Sequence, residues 1–106
     1  MTDKSAAARS LSVKARQYLK GLAHHLKPVV HIGKGGIDDG VIAALDEALE
    51  QHELIKVRLL DTAPFGRKES AQLLADVSSA FPVDVIGRIA ILYRQRKKKP
   101  EIVLPR

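Results

Sequence analysis

Pro28-Val29-Val30-His31-Ile32-Gly33-Lys34-Gly35-Gly36-Ile37-Asp38-Asp39 changes character twice in quick succession. Val29 to Ile32 is a short, β-rich apolar run, which predicts a buried strand. Gly33-Lys34-Gly35-Gly36 has almost no side-chain bulk and predicts a loop. Asp38 and Asp39 suit the start of a helix, where a carboxylate caps free N–H groups and is favoured by the helix dipole. Strand, glycine loop and helix in that order predict a strand-helix-strand unit with parallel strands and a right-handed crossover.

On the N-terminal side, Ser10 to about His25 reads as a helix. Leu11, Ala15, Tyr18, Leu19, Leu22 and Leu26 recur on one face, and Arg16 and Lys20 are expected on the opposite one. Ser10 or Ser12 can cap its start, and Pro28 stops it. Residues 1–9 look like a mobile leader, and residues 10–106 like one domain. On the C-terminal side, the helix opened by Asp38 runs to about His52. Its apolar face is Val41, Ile42, Leu45, Ala48 and Leu49; Asp46, Glu47 and Glu50 form the solvated one.

Leu54 to Leu60 alternates, with Ile55, Val57 and Leu59 one way and Lys56 and Arg58 the other. That is a strand with one covered face and one wet, basic face. Residues 61–66 form a turn-rich loop. A third helix spans roughly Arg67 to Ala80, with Leu73, Leu74, Val77 and Phe81 inward and Pro82 at its end. Val83–Ile86 and Ile89–Arg94 are strands joined by a tight Gly87-Arg88 turn. Residues 95–100 read as a basic linker, and Ile102 to Leu104 as a few extended residues. The order α-β-α-β-α-β-β predicts an α/β, α+β-like two-layer sandwich around a mixed four-stranded sheet.

The 106 residues fit one compact domain, and a hydrophobic fraction of 45% excludes a disordered chain. There is no Cys, which removes disulfide scaffolds, Cys-type zinc modules and thiol catalysis. No apolar run approaches the roughly 18 residues of a membrane span. No secretory signal is visible, so the cytoplasm is the expected location. Aromatics are only 4%, too few for a surface built mainly on stacked rings.

The net charge of +6 is unevenly spread. Residues 1–37 hold seven bases and one acid, residues 38–53 hold six acids and no base, and residues 54–106 hold eleven bases and five acids. A chain polarised in this way can dock on a polyanion with its acidic side outward.

Three glycines with a lysine among them exceed what a turn needs. Glycines let a phosphate backbone approach, and N–H groups near a helix N-terminus favour an anion. The spacing is not that of a P-loop or of a dinucleotide fingerprint. It is the Gly-x-x-Gly with which KH-type modules clamp a nucleic-acid backbone. Lys56 and Arg58 on a wet strand face suggest phosphate contacts or simple solubility. Arg67 and Lys68 occupy a first helical turn, where cations oppose the dipole. Phe65 beside them could stack on a base or staple the helix start. Lys97 to Lys99 add a basic tail. His24, His25, His31 and His52 lack metal-ligand spacing, and nothing suggests a nucleophile or an acid–base pair. No enzyme, metal or cofactor is expected.

Taken together, Leu19-Lys20-Gly21-Leu22-Ala23-His24, Pro28 to Gly36, His52-Glu53-Leu54-Ile55-Lys56-Val57-Arg58, Val85-Ile86-Gly87, Leu92-Tyr93-Arg94 and Leu104-Pro105-Arg106 resemble the CRM domain (chloroplast RNA splicing and ribosome maturation) in its stand-alone bacterial YhbY-like form. The resemblance implies a fold similar to the C-terminal domain of translation initiation factor three. It also implies an RNA-binding module of large-subunit ribosome assembly. The family's glycine loop maps onto Gly33, Lys34, Gly35 and Gly36, and its basic strand residues onto Lys56 and Arg58. Arg16, Lys20, Arg67, Lys68 and Arg88 would widen the surface. The expected partners are ribosomal precursor RNA and pre-large-subunit particles, with ribosomal-protein contacts and a monomeric chain. Two other readings stay open: a protein-interaction adaptor using the acidic segment 38–53, and a general nucleic-acid or membrane-surface binder.

Overall fold

The computed structural model describes residues 11–33, 35–59 and 66–105. The proposed leader, Lys34, the loop carrying Phe65 and the final Arg106 lie outside the described residues. Among those described, the chain forms α1 (Val13–Ala23), β1 (Pro28–Ile32), α2 (Asp39–His52), β2 (Leu54–Leu59), α3 (Arg67–Ser78), β3 (Phe81–Ile86) and β4 (Ile89–Tyr93). This is the anticipated element order, and the four strands make one mixed sheet in the order β1-β2-β4-β3. β1 runs parallel to β2, and β4 runs antiparallel to both β2 and β3.

Alternation on β2 sets the two faces. Ile55, Val57 and Leu59 join Val30, Ile32, Ala90 and Leu92 in a core closed by Leu45, Leu49, Leu74 and Ala75 of α2 and α3. Leu54, Ile91, Tyr93 and Val83 form a second core on the opposite face, closed by Leu19 and Ala23 of α1 and by Ile102 and Leu104 of the C-terminal tail. That second layer covers only the Leu54–Tyr93 end of the face. Tyr93 stacks on Phe81 with ring centroids 6.4 Å apart, so both aromatics serve packing.

Ser12, one of the two expected caps, caps α1, its hydroxyl accepting from the Ala15 N–H at 3.0 Å. Other local expectations differ from the structure. The first helix is narrower on its buried side than its sequence suggests: Tyr18, Leu22 and Leu26 remain 43, 39 and 37% exposed. β1 is not buried throughout: its side chains alternate, so Val29 and His31 are exposed while Val30 and Ile32 are buried. Pro82 does not end α3. Ser79 does, in the left-handed conformation at φ 56°, and Pro82 sits in edge strand β3, where a missing N–H costs no ladder bond. Phe81 consequently belongs to β3 rather than to the helix, and Val77 is 40% exposed.

Residues 95–100 are not a free linker, and the acidic face of α2 is not simply solvated. Glu53 follows α2 at φ 65° and is 1% exposed. Its carboxylate accepts the backbone N–H groups of Arg96 at 3.0 Å, Glu101 at 2.8 Å and Ile102 at 3.0 Å. Arg94 donates to the Ser78 carbonyl at 2.8 Å and pairs with Asp46 and Glu50, each at 2.9 Å. Arg96 donates to the Gln51 carbonyl at 2.9 Å and pairs with Glu101 at 3.3 Å. The end of α2 and the chain after β4 are thereby fastened together. Burial alone pushes the Glu53 carboxyl up, but the three N–H donors and the Arg96 charge outweigh it and hold the group below its ordinary 4.5.

Glu53→Gln should lower the unfolding free energy by about 2 kcal/mol, since hydrogen bonds to a charged acceptor are lost in a buried site. In a domain of this size Tm then falls by roughly 10 °C in calorimetry at neutral pH; an unchanged Tm would contradict the assignment. A carboxylate depressed on folding stabilises most above its unfolded pKa and loses that effect as pH falls through the folded value. The wild-type advantage over Glu53→Gln should accordingly be full above pH 4.5 and shrink progressively below it.

Candidate nucleic-acid interface

The fold has two unlike poles. One carries the end of α2, Glu53 and the tail. The other gathers the end of β1, the glycine loop, the end of β2, the β3–β4 turn and the start of α3. Two contacts join elements at this second pole: the Leu59 N–H donates to the Arg88 carbonyl at 2.7 Å, and the Arg67 guanidinium donates to the Gly87 carbonyl at 3.1 Å.

Gly33, Gly35 and Gly36 form a turn between β1 and α2. The Gly36 N–H donates to the Gly33 carbonyl at 3.0 Å. Gly36 has φ +70°, which a side chain would strain, and no atom lies within 4 Å of where its Cβ would be. An incoming backbone can therefore approach Gly36 closely. Beside it an apolar cavity of about 450 Å³ is lined by Ile32, Ile37, Ile42 and Leu73. The helix terminus itself is not the expected anion site. Asp38 already caps α2, its carboxylate accepting the Val41 N–H at 2.8 Å, and Asp39 occupies the first turn. Two carboxylates there disfavour a phosphate at the helix terminus.

The basic residues divide. Arg58 points outward from β2 and is exposed, and Lys68 is exposed on the first turn of α3; neither makes an ion pair or side-chain hydrogen bond among the described residues. Arg67 and Lys68 line a shallow pocket of about 390 Å³ with Val85 and Gly87, and Arg88 is exposed on the adjoining turn. These five features, the glycine loop, Arg58, Arg67, Lys68 and Arg88, share one pole.

Arg16, Lys20 and Lys56 do not join them as free charges. Arg16 is half-buried and donates to the Pro82 and Val83 carbonyls at 2.7 and 2.8 Å, where the β3–β4 register shifts. Lys20 pairs with Asp84 at 3.1 Å. Both therefore face edge strand β3 instead of lying opposite the packed side of α1. The Lys56 ammonium donates to the Leu26 carbonyl at 3.0 Å and pins the α1–β1 connection. These residues read as surface charge in the sequence because a cation that satisfies a distant carbonyl looks the same there as a solvated one.

His31 on β1 is a further exposed residue at this pole. Register places His31 beside Arg58, Arg58 beside Ile89 and Ile89 beside Ile86, one residue from each strand. The signal was present in the β1 alternation, which a buried strand would not need. The roles of Glu53, Arg94 and Arg96 were likewise hidden, since the contacts of Glu53 with the tail, Arg94 with Glu50 and Arg96 with Gln51 span more than forty residues, and that of Arg94 with Ser78 sixteen.

Comparison with known proteins agrees with this architecture. Residues 11–94 match the family described as the CRS1/YhbY (CRM) domain. A Haemophilus influenzae protein named "RNA-binding protein" is 43% identical over 101 residues, covering 92% of this chain and 97% of its own. The Bacillus subtilis "Probable RNA-binding protein YqeI" is 38% identical over 95 residues, covering 90% and 99%. A hypothetical protein of Staphylococcus aureus, solved in solution, superposes with a TM-score of 0.78 at 41% identity, over 91% of this chain and all of that one. The chain belongs to the CRS1/YhbY (CRM) domain family.

Proposed function

We propose that this protein is a non-enzymatic RNA-binding module of the cytoplasm that engages precursor large-subunit ribosomal RNA during ribosome assembly. The observation that carries the reading is the pole shared by Gly36, with open space beside it, and by Arg58, Arg67, Lys68 and Arg88. The names of the relatives support RNA as the ligand. Gly33, Gly35 and Gly36 let the sugar-phosphate backbone approach, and Lys34 adds a charge on the same loop. Arg58 and Lys68 supply phosphate contacts, with Arg67 and Arg88 beside them. Arg16, Lys20 and Lys56 act indirectly, by holding α1 and the α1–β1 connection in place.

The adaptor reading for segment 38–53 loses ground on a specific point. Asp46, Glu50 and Glu53 are engaged by Arg94 and the tail, which leaves a smaller acidic surface for a basic partner. Salt-insensitive binding to a basic protein without RNA affinity would restore it. Competition among RNA duplex, DNA duplex and anionic vesicles separates the general-binder readings.

Arg58→Glu with Lys68→Glu should weaken RNA binding while leaving Tm unchanged, because neither side chain holds the fold. The slope of log affinity against log salt should fall by about one for each phosphate contact removed. Unaltered affinity and slope would exclude the two from the interface. For the assembly role, the protein should sediment with large-subunit precursors in a lysate gradient at low salt and move to the top at moderate salt. Failure to co-sediment at either salt would remove the ribosomal assignment.

A further inference from the structure

We infer that the cross-strand row His31–Arg58–Ile89–Ile86 is a stacking platform for unpaired nucleotides. The inference rests on the RNA-binding reading above and narrows its ligand from RNA in general to bases that are free of a duplex.

The row is built by register. His31 on β1 lies beside Arg58 on β2, Arg58 beside Ile89 on β4, and Ile89 beside Ile86 on β3. All four side chains point to the α1 face, because Val30, Ile32, Val57, Leu59 and Ala90 occupy the alternate positions in the α2–α3 core. The preceding row, Lys56–Ile91–Asp84, meets the α1 region, with Ile91 buried, Lys56 bound to the Leu26 carbonyl and Asp84 paired with Lys20. The helix layer stops there. His31 and Arg58 are exposed, Ile89 is half-buried and Ile86 is 56% exposed.

At the usual strand spacing the row spans about 14 Å. It offers an imidazole, a guanidinium plane and two branched aliphatic chains, flat or apolar surfaces on which a base can rest. Its charge suits a polyanion. Arg58 supplies a cation within the row, Arg88 another on the turn joining Ile86 to Ile89, and the acid of the neighbouring row is already neutralised by Lys20. The glycine loop begins directly after β1, one residue beyond Ile32. A strand whose backbone crosses that loop can lay its bases along the row. A base-paired duplex cannot, since its ring faces are already stacked. The low aromatic content excludes a platform of rings but not this mixed one.

The test compares an oligoadenylate strand with a perfectly paired RNA duplex of equal length, titrated against wild type, His31→Ala/Ile86→Ser and Arg58→Lys. Arg58→Lys keeps the charge and removes the planar group. Each variant should bind the strand about tenfold more weakly, the scale of one lost base stack. His31→Ala/Ile86→Ser should leave duplex affinity unchanged, and Arg58→Lys should weaken strand binding more than duplex binding. Equal losses for both RNAs would overturn the platform and leave Arg58 as a phosphate contact. Unchanged binding to both would overturn the platform while wild-type affinity upholds the RNA reading. Absence of wild-type affinity for either RNA would overturn both. Concentration-dependent dimerisation abolished by Ile86→Ser would assign the row to a second copy of the chain and also overturn the platform.

Discussion

A carboxylate removed from water needs donors, and Glu53 finds three of them in the chain after β4. The residue sits at a left-handed φ that costs a non-glycine about 1 kcal/mol or more, so its position is dictated by those bonds. From this point the end of α2, the start of β2 and the tail are fixed relative to each other. The tail then lays Ile102 and Leu104 against the Leu54–Tyr93 core. A buried anion also organises charge around itself, with Arg94 and Arg96 drawn to this pole.

That arrangement gives the uneven charge of the chain a structural meaning. Four cations at the tail pole and along α1 are spent on carbonyls and carboxylates: Arg94 on Ser78, Asp46 and Glu50, Arg96 on Gln51 and Glu101, Arg16 on the β3 carbonyls, Lys20 on Asp84, while Lys97, Lys98 and Lys99 stay exposed. At the opposite pole Arg58 and Lys68 extend to solvent near a glycine-rich loop. An exposed cation can meet a phosphate without first breaking an intramolecular bond, whereas a bonded one must give up its partner. The proposed interface therefore lies at the second pole.

The element order was legible because each element had its own local signal. Alternation in Leu54–Leu59 marked β2, the glycines marked the β1–α2 turn, and Gly87-Arg88 marked the hairpin. Boundaries failed where a non-local contact decided them. Pro82 reads as a helix stop, yet the free edge of β3 accommodates it and Ser79 ends α3. The apolar stripe of α1 reads wider than it is, because the tail and the sheet cover only its Leu19–Ala23 side. Site residues divided in the same way. Gly33 to Gly36 and Arg58 could be placed from spacing and alternation. The fates of Arg16, Lys56 and Glu53 could not, since each depends on a partner between thirty and sixty-seven residues away. His31 became visible only through strand register.

The central claim is that RNA meets the glycine-loop pole and leaves the Glu53 pole untouched. Amide chemical-shift mapping of the isotope-labelled protein with a fragment of precursor ribosomal RNA tests it directly. The account predicts that shifts concentrate at His31, Gly35, Gly36, Arg58, Lys68 and Arg88, with Glu47, Glu53 and Arg96 unmoved. Shifts centred on α2 and the tail, with the glycine loop silent, would contradict it.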